Sequence, residues 1–380
     1  MSFRIARIIY DWPKPWDGLA PAPYYLTKHQ KLLGNSLTVF CGRWNKSGGP
    51  EKISGVSIIS FPREPVEGVM LLTTAPLMSL YFLFWRVFNK VDIYHVHGHF
   101  GLYIYLYKFL FGWLDKTPLV AHFHNTTAGR IAITNGESVN KDGFFVKNIA
   151  ILLSLISDKL AVKVARACIF VSKQNIDEAI KYYHVPREKC FLVESGVATE
   201  VFDNKIQKGD KKQILYVGAL NSRKNVESLV ASLQYLPDLY NLKIIGRGFE
   251  SFVNKIKEIA KDRGVLERVI FEGYIENAHL PKYYAESAIF VIPSLYEGLP
   301  KVVLEALASG IPVLASGFSI KSPISGLFFI DNPTPRKIAS NILKIVQSNV
   351  KVDSNYIEKY YSWKAKAQEI QKIYEHLVEN

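Results

Sequence analysis

Between residues 293 and 306 the chain reads Pro293-Ser294-Leu295-Tyr296-Glu297-Gly298-Leu299-Pro300-Lys301-Val302-Val303-Leu304-Glu305-Ala306. An apolar, strand-like run ends at Pro293 and a loop with one glycine follows. Pro300 then stands where a first helical turn begins, a position that favours proline. The N–H groups of a helix start suit an anion such as a diphosphate. In open α/β sheets, ligands also sit beyond the carboxyl ends of strands. Glu297 lies before the helix start, and Glu305 lies about 7 Å inside it at 1.5 Å per residue. Carboxylates are poor neighbours for phosphate and good acceptors for hydroxyls. A diphosphate at the helix start, with one glutamate toward each end, fits a nucleotide sugar. On spacing alone, the pair reads equally well as ordinary helix-end charges.

Such a pair needs a scaffold, and the chain around it alternates short β-rich runs with helical patterns, as parallel α/β sheets do. In the first half the strand runs are Arg4–Tyr10, Leu37–Cys41, Val56–Ser60, Asp92–His97, Leu119–Phe123, Cys168–Val171 and Phe191–Val193, with a helical stretch at Ile151–Val164. In the second half they are Gln213–Val217, Leu242–Ile245, Val269–Phe271, Ile289–Ile292 and Pro312–Leu314. Helical patterns there cover Val226–Gln234, Phe249–Asp262, Leu280–Glu286 and Lys301–Ser309, and one long aromatic-studded pattern covers Tyr356–Val378. A polar stretch without apolar periodicity, Thr199–Lys212, marks a change of domain. A chain of 380 residues exceeds the roughly 250–300 at which single cores stop growing, so two domains are expected.

The formal net charge is +13, and the excess is spread along the chain. Residues 1–200 carry 23 Lys and Arg against 15 Asp and Glu; residues 201–380 carry 24 against 19. Charge alone does not choose among nucleic acid, anionic membrane and phosphorylated substrates. No basic run, zinc-finger spacing or RNA-binding signature occurs, so nucleic acid is the weakest of the three. Cys41, Cys168 and Cys190 are far apart and form no ligand pair, which suits a reducing cytosol. The chain opens almost directly on a strand-like run, with no secretory leader. Cytoplasmic residence is expected.

Several ordered pieces between Ile214 and Val313 resemble the family-4 glycosyltransferases. They are Tyr216-Val217-Gly218, Lys224-Asn225, Ile245-Gly246-Arg247-Gly248, Phe271-Glu272-Gly273-Tyr274, Tyr284-Ala285 and Pro293-Ser294 with the Glu297/Glu305 pair; Tyr361-Ser362-Trp363 adds a further match. The resemblance implies a GT-B fold: two Rossmann-like, doubly wound parallel-sheet domains facing across a cleft. Residues 1–200 would form an acceptor-binding domain and residues 201–350 a nucleotide-sugar-binding domain. Residues 351–380 would form a helix returning to the first domain. By resemblance, Glu297 holds hydroxyls of the transferred sugar, Glu305 holds the ribose, and Lys224 neutralises the departing diphosphate. Backbone around Gly298, Leu299, Pro300, Val302 and Val303 would meet the distal phosphate. Gly218 and Gly246 would line the donor site, and Gly273 with Tyr274 would frame the base. The family places an arginine directly after the glycine at Gly218; here Ala219 stands there. Arg223 is either its substitute or a solvated turn residue.

Three patches of the first half also fit. Asp92-Ile93-Tyr94-His95-Val96-His97 resembles the family's strand ending in two histidines. Val120-Ala121-His122-Phe123-His124-Asn125-Thr126 resembles the next strand and loop. By resemblance His124 faces the transferred sugar, bonding a hydroxyl or the leaving phosphate; the other reading is a core histidine, which suits His95 and His97 better. Leu192 to Phe202 resembles the domain boundary, with Ser195 and Ala198 where Asn and Asp are usual. Near the start, the family's paired glycines are reduced to Gly18, followed by Pro21-Ala22-Pro23. Gly18 either lets its loop approach the donor phosphates or only makes a turn. No Asp-x-Asp pair occurs, so no metal or other cofactor is expected, and the leaving diphosphate would be stabilised by Lys224 and helix-dipole groups. The resemblance implies retention of anomeric configuration, a UDP- or GDP-sugar donor, and a glycan or lipid-linked acceptor of the cell envelope.

Two stretches of the first half are apolar on every side. Val69–Trp85 has no charge, and it holds Pro76, Thr73, Thr74 and Ser79. Phe100–Leu114 carries seven aromatics with Lys108 as its one charge. Arg86, Lys90, Lys116 and Arg130 border them. Both helices fit either burial in the core or a face touching an anionic membrane surface, as on the inner leaflet. Two other enzyme classes and one binding class compete with the transferase reading. A dinucleotide-dependent dehydrogenase needs G-x-G-x-x-G after the first strand, which Tyr10–Gly18 lacks. A nucleotide-sugar epimerase of the same fold would act on the donor alone. A non-catalytic membrane-binding protein would leave Glu297 and Glu305 unexplained.

Overall fold

The computed structural model describes the chain except for residues 15, 17–18, 44–48, 63–68, 135–143, 203–211 and 380. Gly18 and most of the polar stretch 199–212 therefore lie outside the described residues. Two compact units result: Met1–Glu194 joined by Trp363–Asn380, and Ser195–Ser362.

The first unit is built on strands β1 (Arg4–Ile8), β2 (Ser36–Arg43), β3 (Ser57–Pro62), β4 (Ile93–His97), β5 (Leu119–Phe123), β6 (Ala167–Phe170) and β7 (Cys190–Leu192). They form one sheet in the order β3-β2-β1-β4-β5-β6-β7, and every pair is parallel. Its helices are α1 (Pro21–Leu32), α2 (Val69–Leu72), α3 (Thr74–Phe88), α4 (Leu102–Phe111), α5 (Thr127–Thr134), α6 (Phe144–Val164) and α7 (Lys173–Tyr183). α7 starts where the Ser172 hydroxyl accepts the Asn175 N–H at 3.2 Å, an ordinary N-cap. Alternate strand residues divide between two faces. Ala6, Ile8, Tyr94, Val96, Leu119, Ala121 and Phe123 enter a core with α3, α4, α6 and α7. Arg7, His95 and His122 point to the opposite face.

The second unit contains β8 (Gln213–Val217), β9 (Asn241–Ile245), β10 (Val269–Gly273), β11 (Ile289–Ile292), β12 (Val313–Ala315) and β13 (Leu327–Phe329). The sheet order is β10-β9-β8-β11-β12-β13, again parallel throughout. The helices are α8 (Thr199–Phe202), α9 (Val226–Ser232), α10 (Glu250–Asp262), α11 (Leu280–Ala285), α12 (Lys301–Ala308), α13 (Pro335–Gln347) and α14 (Ser354–Tyr361). One face of the sheet packs on α9, α10 and α13, and the other on α11, α12 and α14. The strand order reverses direction between β8 and β11, so the loops after these strands splay apart and open a crevice. The final helix α15 (Trp363–Glu379) belongs to the first unit, where it lies against α1.

Four details differ from the sequence reading. The long pattern Tyr356–Val378 is two helices, because the chain leaves the second unit at Ser362, which pairs with Val197 in an isolated bridge. The return segment accordingly begins at Trp363, not at residue 351, and the units divide after Glu194, not at residue 200. β13 is an additional edge strand of three residues, following a turn at Gly326. Pro300 is not the first helical residue of α12; it precedes it, with extended backbone (φ −66°, ψ 124°).

Candidate active site

The loops after β8, β9, β10 and β11 meet at the carboxyl edge of the second sheet. The N–H of Gly218 donates to the Ile245 carbonyl at 2.9 Å, and that of Gly246 donates to the Gly273 carbonyl at 2.8 Å. Gly246 has φ +152°, and a Cβ there would fall 1.8 Å from the Gly218 carbonyl oxygen, so only glycine fits. The loops of β8 and β9 are thereby pressed together, and Leu220 N–H continues the contact to the Arg247 carbonyl at 2.7 Å. Arg247 lies over the Tyr274 ring, 3.7 Å from its centroid, which makes a flat lip beside Gly273.

Arg223 and Lys224 follow from the β8 loop through a single 3₁₀ turn that ends at Asn225 in the left-handed region (φ 51°). Both reach one carboxylate. Lys224 Nζ donates to Glu297 Oε1, and Arg223 Nη1 lies 3.1 Å from Oε2. Arg223 also donates to the Tyr296 carbonyl at 2.6 Å, and its own carbonyl accepts the Leu295 N–H at 2.8 Å. Arg223 is thus no solvated turn residue; its ion pair and main-chain bonds join the two loops. Burial alone would push Glu297 up, but Lys224 and Arg223 outweigh it and hold the carboxyl below its usual range. Burial draws the Lys224 ammonium down, partly offset by Glu297.

Glu305 is also buried, on the inward side of α12, and its side-chain hydrogen bonds come from the neutral groups of Tyr284 and Asn277. Tyr284 donates its hydroxyl to Oε2 at 3.0 Å, and Asn277 Nδ2 donates to Oε1 at 3.3 Å. Burial raises its carboxyl above the ordinary value, with Lys301, Tyr284 and Asn277 opposing. The loop before α12 therefore carries an ionised carboxylate, and the helix itself a carboxyl that resists ionisation. The loop between them presents main chain: Leu299 and Val303 bury their side chains in the core, and Val302 packs against it. The Val303 N–H already turns back to the Pro300 carbonyl at 3.1 Å. Gly317, with φ +83°, supports this loop from beneath. A Cβ there would meet the Ser294 carbonyl at 2.5 Å, and its carbonyl accepts the Glu297 N–H at 2.7 Å. Gly317, Tyr284 and Asn277 were not singled out as site residues; a Ser-Gly pair ending a buried strand was the one signal for Gly317.

In the first unit, His124 follows β5 and its Nε2 shares a hydrogen bond of 3.1 Å with His97 Nδ1. His97 lies directly across from His122 in the parallel register of β4 and β5. His95 Nε2 pairs with His122 Nδ1 at 3.1 Å, and His95 Nδ1 with the Tyr374 hydroxyl of α15. His95 and His97 stack at 4.5 Å between centroids, and His122 and His124 at 4.6 Å. Burial, and the positive charge of the buried Arg7 close by, hold His95, His97 and His122 far below the usual imidazole value. Nitrogens of these three lie within 4.8 Å of one another, a spacing compatible with metal ligands. Both nitrogens of His95 are already engaged, however, and rings tilted by only 6° aim their in-plane lone pairs in parallel. The stack is a neutral hydrogen-bonded ladder that supports His124.

The model of the glycosyl transferases group 1 family matches residues 198–369, and that of Glycosyltransferase Family 4 matches residues 16–201. The chain is a group 1 glycosyltransferase. Apart from Gly18, its donor-side candidates lie in the group 1 match; Gly18 and His124 lie in the other. The glycosyltransferase is similar to an uncharacterized glycosyltransferase of Methanocaldococcus jannaschii, 24% identical over 82% of this chain and 85% of that one. It is 25% identical to the O-antigen chain mannosyltransferase B of Escherichia coli over 49% of this chain and 52% of that protein. HepE of Anabaena, solved in complex with UDP and glucose, superposes with a TM-score of 0.70 at 14% identity, over 98% of this chain and 100% of that one. The fold of this glycosyltransferase is GT-B.

Proposed function

We propose that this glycosyltransferase moves a sugar from a UDP- or GDP-sugar to a glycan or lipid-linked acceptor of the cell envelope, with retention and without a metal. The observation that carries the reading is the grip of Lys224 and Arg223 on Glu297, beside the start of α12. Two cations face one carboxylate, so the site holds surplus positive charge that a diphosphate would neutralise. Arriving phosphate would take Lys224 over from Glu297 and leave that carboxylate to accept hydrogen bonds from the transferred sugar. Glu305, held by Tyr284 and Asn277, would bond the ribose, and the Arg247–Tyr274 lip would border the base. As the sugar-phosphate bond breaks, negative charge grows on the diphosphate, where Lys224 and the N-terminal turn of α12 stabilise it. The acceptor hydroxyl oxygen takes the sugar and its proton passes to the departing diphosphate, while His124 would bond a sugar hydroxyl or the leaving phosphate.

HepE, solved with UDP and glucose, supports a nucleotide-sugar donor, and the Escherichia coli O-antigen relative supports an envelope acceptor. A screen of UDP- and GDP-sugars for thermal stabilisation tests the reading, since ligand at 100 times its dissociation constant adds about 2.7 kcal/mol. The matching donor should raise the unfolding midpoint and support transfer. Indifference to every nucleotide sugar would contradict it.

A further inference from the structure

α3 is apolar on both sides. Ala75, Met78 and Phe82 enter the core, whereas Leu77, Leu80, Phe84, Val87 and Phe88 follow the same helical spacing on the outside. Phe84 is 66% exposed and Phe88 73%. α4 lies against α3 on one side and α6 on the other. It adds exposed Phe109 and Leu110, and Trp113 and Leu114 follow in the turn behind it. On α6, Leu152, Ile156, Lys159 and Lys163 form one exposed stripe, apolar first and basic after. Three neighbouring helices thus each turn large apolar side chains outward, and clustered exposure of this kind marks an interaction surface.

We infer that this face docks on an anionic lipid bilayer. The charges around it decide the occupant. Lys90 and Lys116 stand exposed just beyond the apolar ends of α3 and α4. Lys163 lies over the Phe109 ring, 4.3 Å from its centroid, at the edge of the apolar area. The described acids of α6 and of the turn after α4 point elsewhere. Asp158 is buried and accepts from Thr127 N–H and the Tyr183 hydroxyl at 2.9 and 2.8 Å. Asp115 is held by the hydroxyls of Tyr94 and Tyr107 at 2.7 and 3.2 Å. A second copy docked through a twofold axis would bring this basic rim against itself, with no exposed acid among the described residues of α3, α4 and α6 to meet it. Lipid phosphates satisfy every member of the rim, and the Leu and Phe side chains enter the acyl boundary with Trp113 at headgroup level. Because α3 keeps its other face in the core, it lies along the surface and does not span it.

The inference rests on this face alone. A chain that bound vesicles and transferred no sugar would keep it and lose the transfer reading. The test is flotation of the full chain with phosphatidylcholine vesicles, with and without phosphatidylglycerol. Binding is expected to the anionic vesicles, reduced by salt. Leu80→Asp with Phe84→Asp should abolish it; both side chains are more than half exposed, so an unchanged melting midpoint is the folding control. Lys116→Glu with Lys163→Glu should weaken it at least 25-fold, at about fivefold for each basic group removed. Failure to float with anionic vesicles would overturn the inference, as would equal flotation by the Leu80/Phe84 variant. Self-association that this variant dissolves, without vesicle binding, would assign the face to a second copy.

Discussion

The two sheets of this glycosyltransferase bury polar groups by opposite means. In the second unit, Glu297 is held ionised inside the fold by two cations, Lys224 and Arg223. In the first, His95, His97 and His122 are gathered beside the buried Arg7, with no carboxylate among their hydrogen-bond partners, and they stay neutral. Buried charge needs an opposite charge and hydrogen bonds together. Where the sequence supplies Lys and Arg against Glu, the result is a buried ion-pair cluster with one more cation than anion. Where it supplies imidazoles and a tyrosine around the Arg7 guanidinium, whose partners Thr27 and Gln30 are neutral, the histidines themselves carry no charge. Charge is therefore expected to move in the second unit during turnover and not in the first.

Acid should separate the two regions most strongly. A buried histidine with a lowered pKa binds fewer protons than its unfolded counterpart, so stability is lost as pH falls below the ordinary 6.5. Each of the three contributes a slope of up to about 1.4 kcal/mol per pH unit in that range. Glu297, with its pKa lowered, contributes stability that is present above its ordinary 4.5 and lost only below it, and Glu305, with its pKa raised, works in the opposite sense. Urea unfolding at pH 7.5 and 5.5 should show a loss of several kcal/mol, reduced in His122→Gln. Equal stability at both values would mean that the ladder is not neutral.

Lys224→Ala should lower kcat by about 10² to 10³, the usual cost of losing a donor to a developing oxyanion. His97→Asn, which disturbs only the support of His124, should cost about fivefold, the value of one ordinary hydrogen bond. Steady-state kinetics with the donor found by the screen measures both. A larger loss from His97 than from Lys224 would reverse the comparison. The smallest effect should come from chelation. Transfer should continue in excess EDTA, and complete loss with rescue by manganese or magnesium would end the metal-free reading.

Much of this was legible in the residues. The strands lie within a few residues of their apolar runs, because parallel strands buried on both faces leave a strong signal. Glu297 and Glu305 stood out by type and spacing, and Lys224 only by its place in a family motif. β13 did not, because three residues at a sheet edge, two half-buried and one exposed, carry no period. Nor did the break at Ser362, since the aromatic pattern runs through Tyr360, Tyr361 and Trp363 while the chain changes units. Alternation placed His95 and His97 on one face, but their pairing with His122 and His124 depends on the register of β4 against β5. The partners of Glu305, Tyr284 and Asn277, come from another loop and helix altogether. Helices as apolar as α3 and α4 give no indication in sequence of which side faces outward.

The central claim is that Glu297 and Glu305 serve opposite ends of one donor. Calorimetry with the free nucleoside diphosphate, beside kinetics with the sugar donor, tests it for Glu297→Ala and Glu305→Ala. A hydrogen bond involving a charged group is worth about 1.5–3 kcal/mol, so Glu305→Ala should weaken the free nucleotide roughly 10- to 150-fold. Glu297→Ala should leave that affinity nearly intact and lower kcat, because sugar placement matters most as the bond breaks. Equal loss of free-nucleotide affinity in both variants would contradict the assignment.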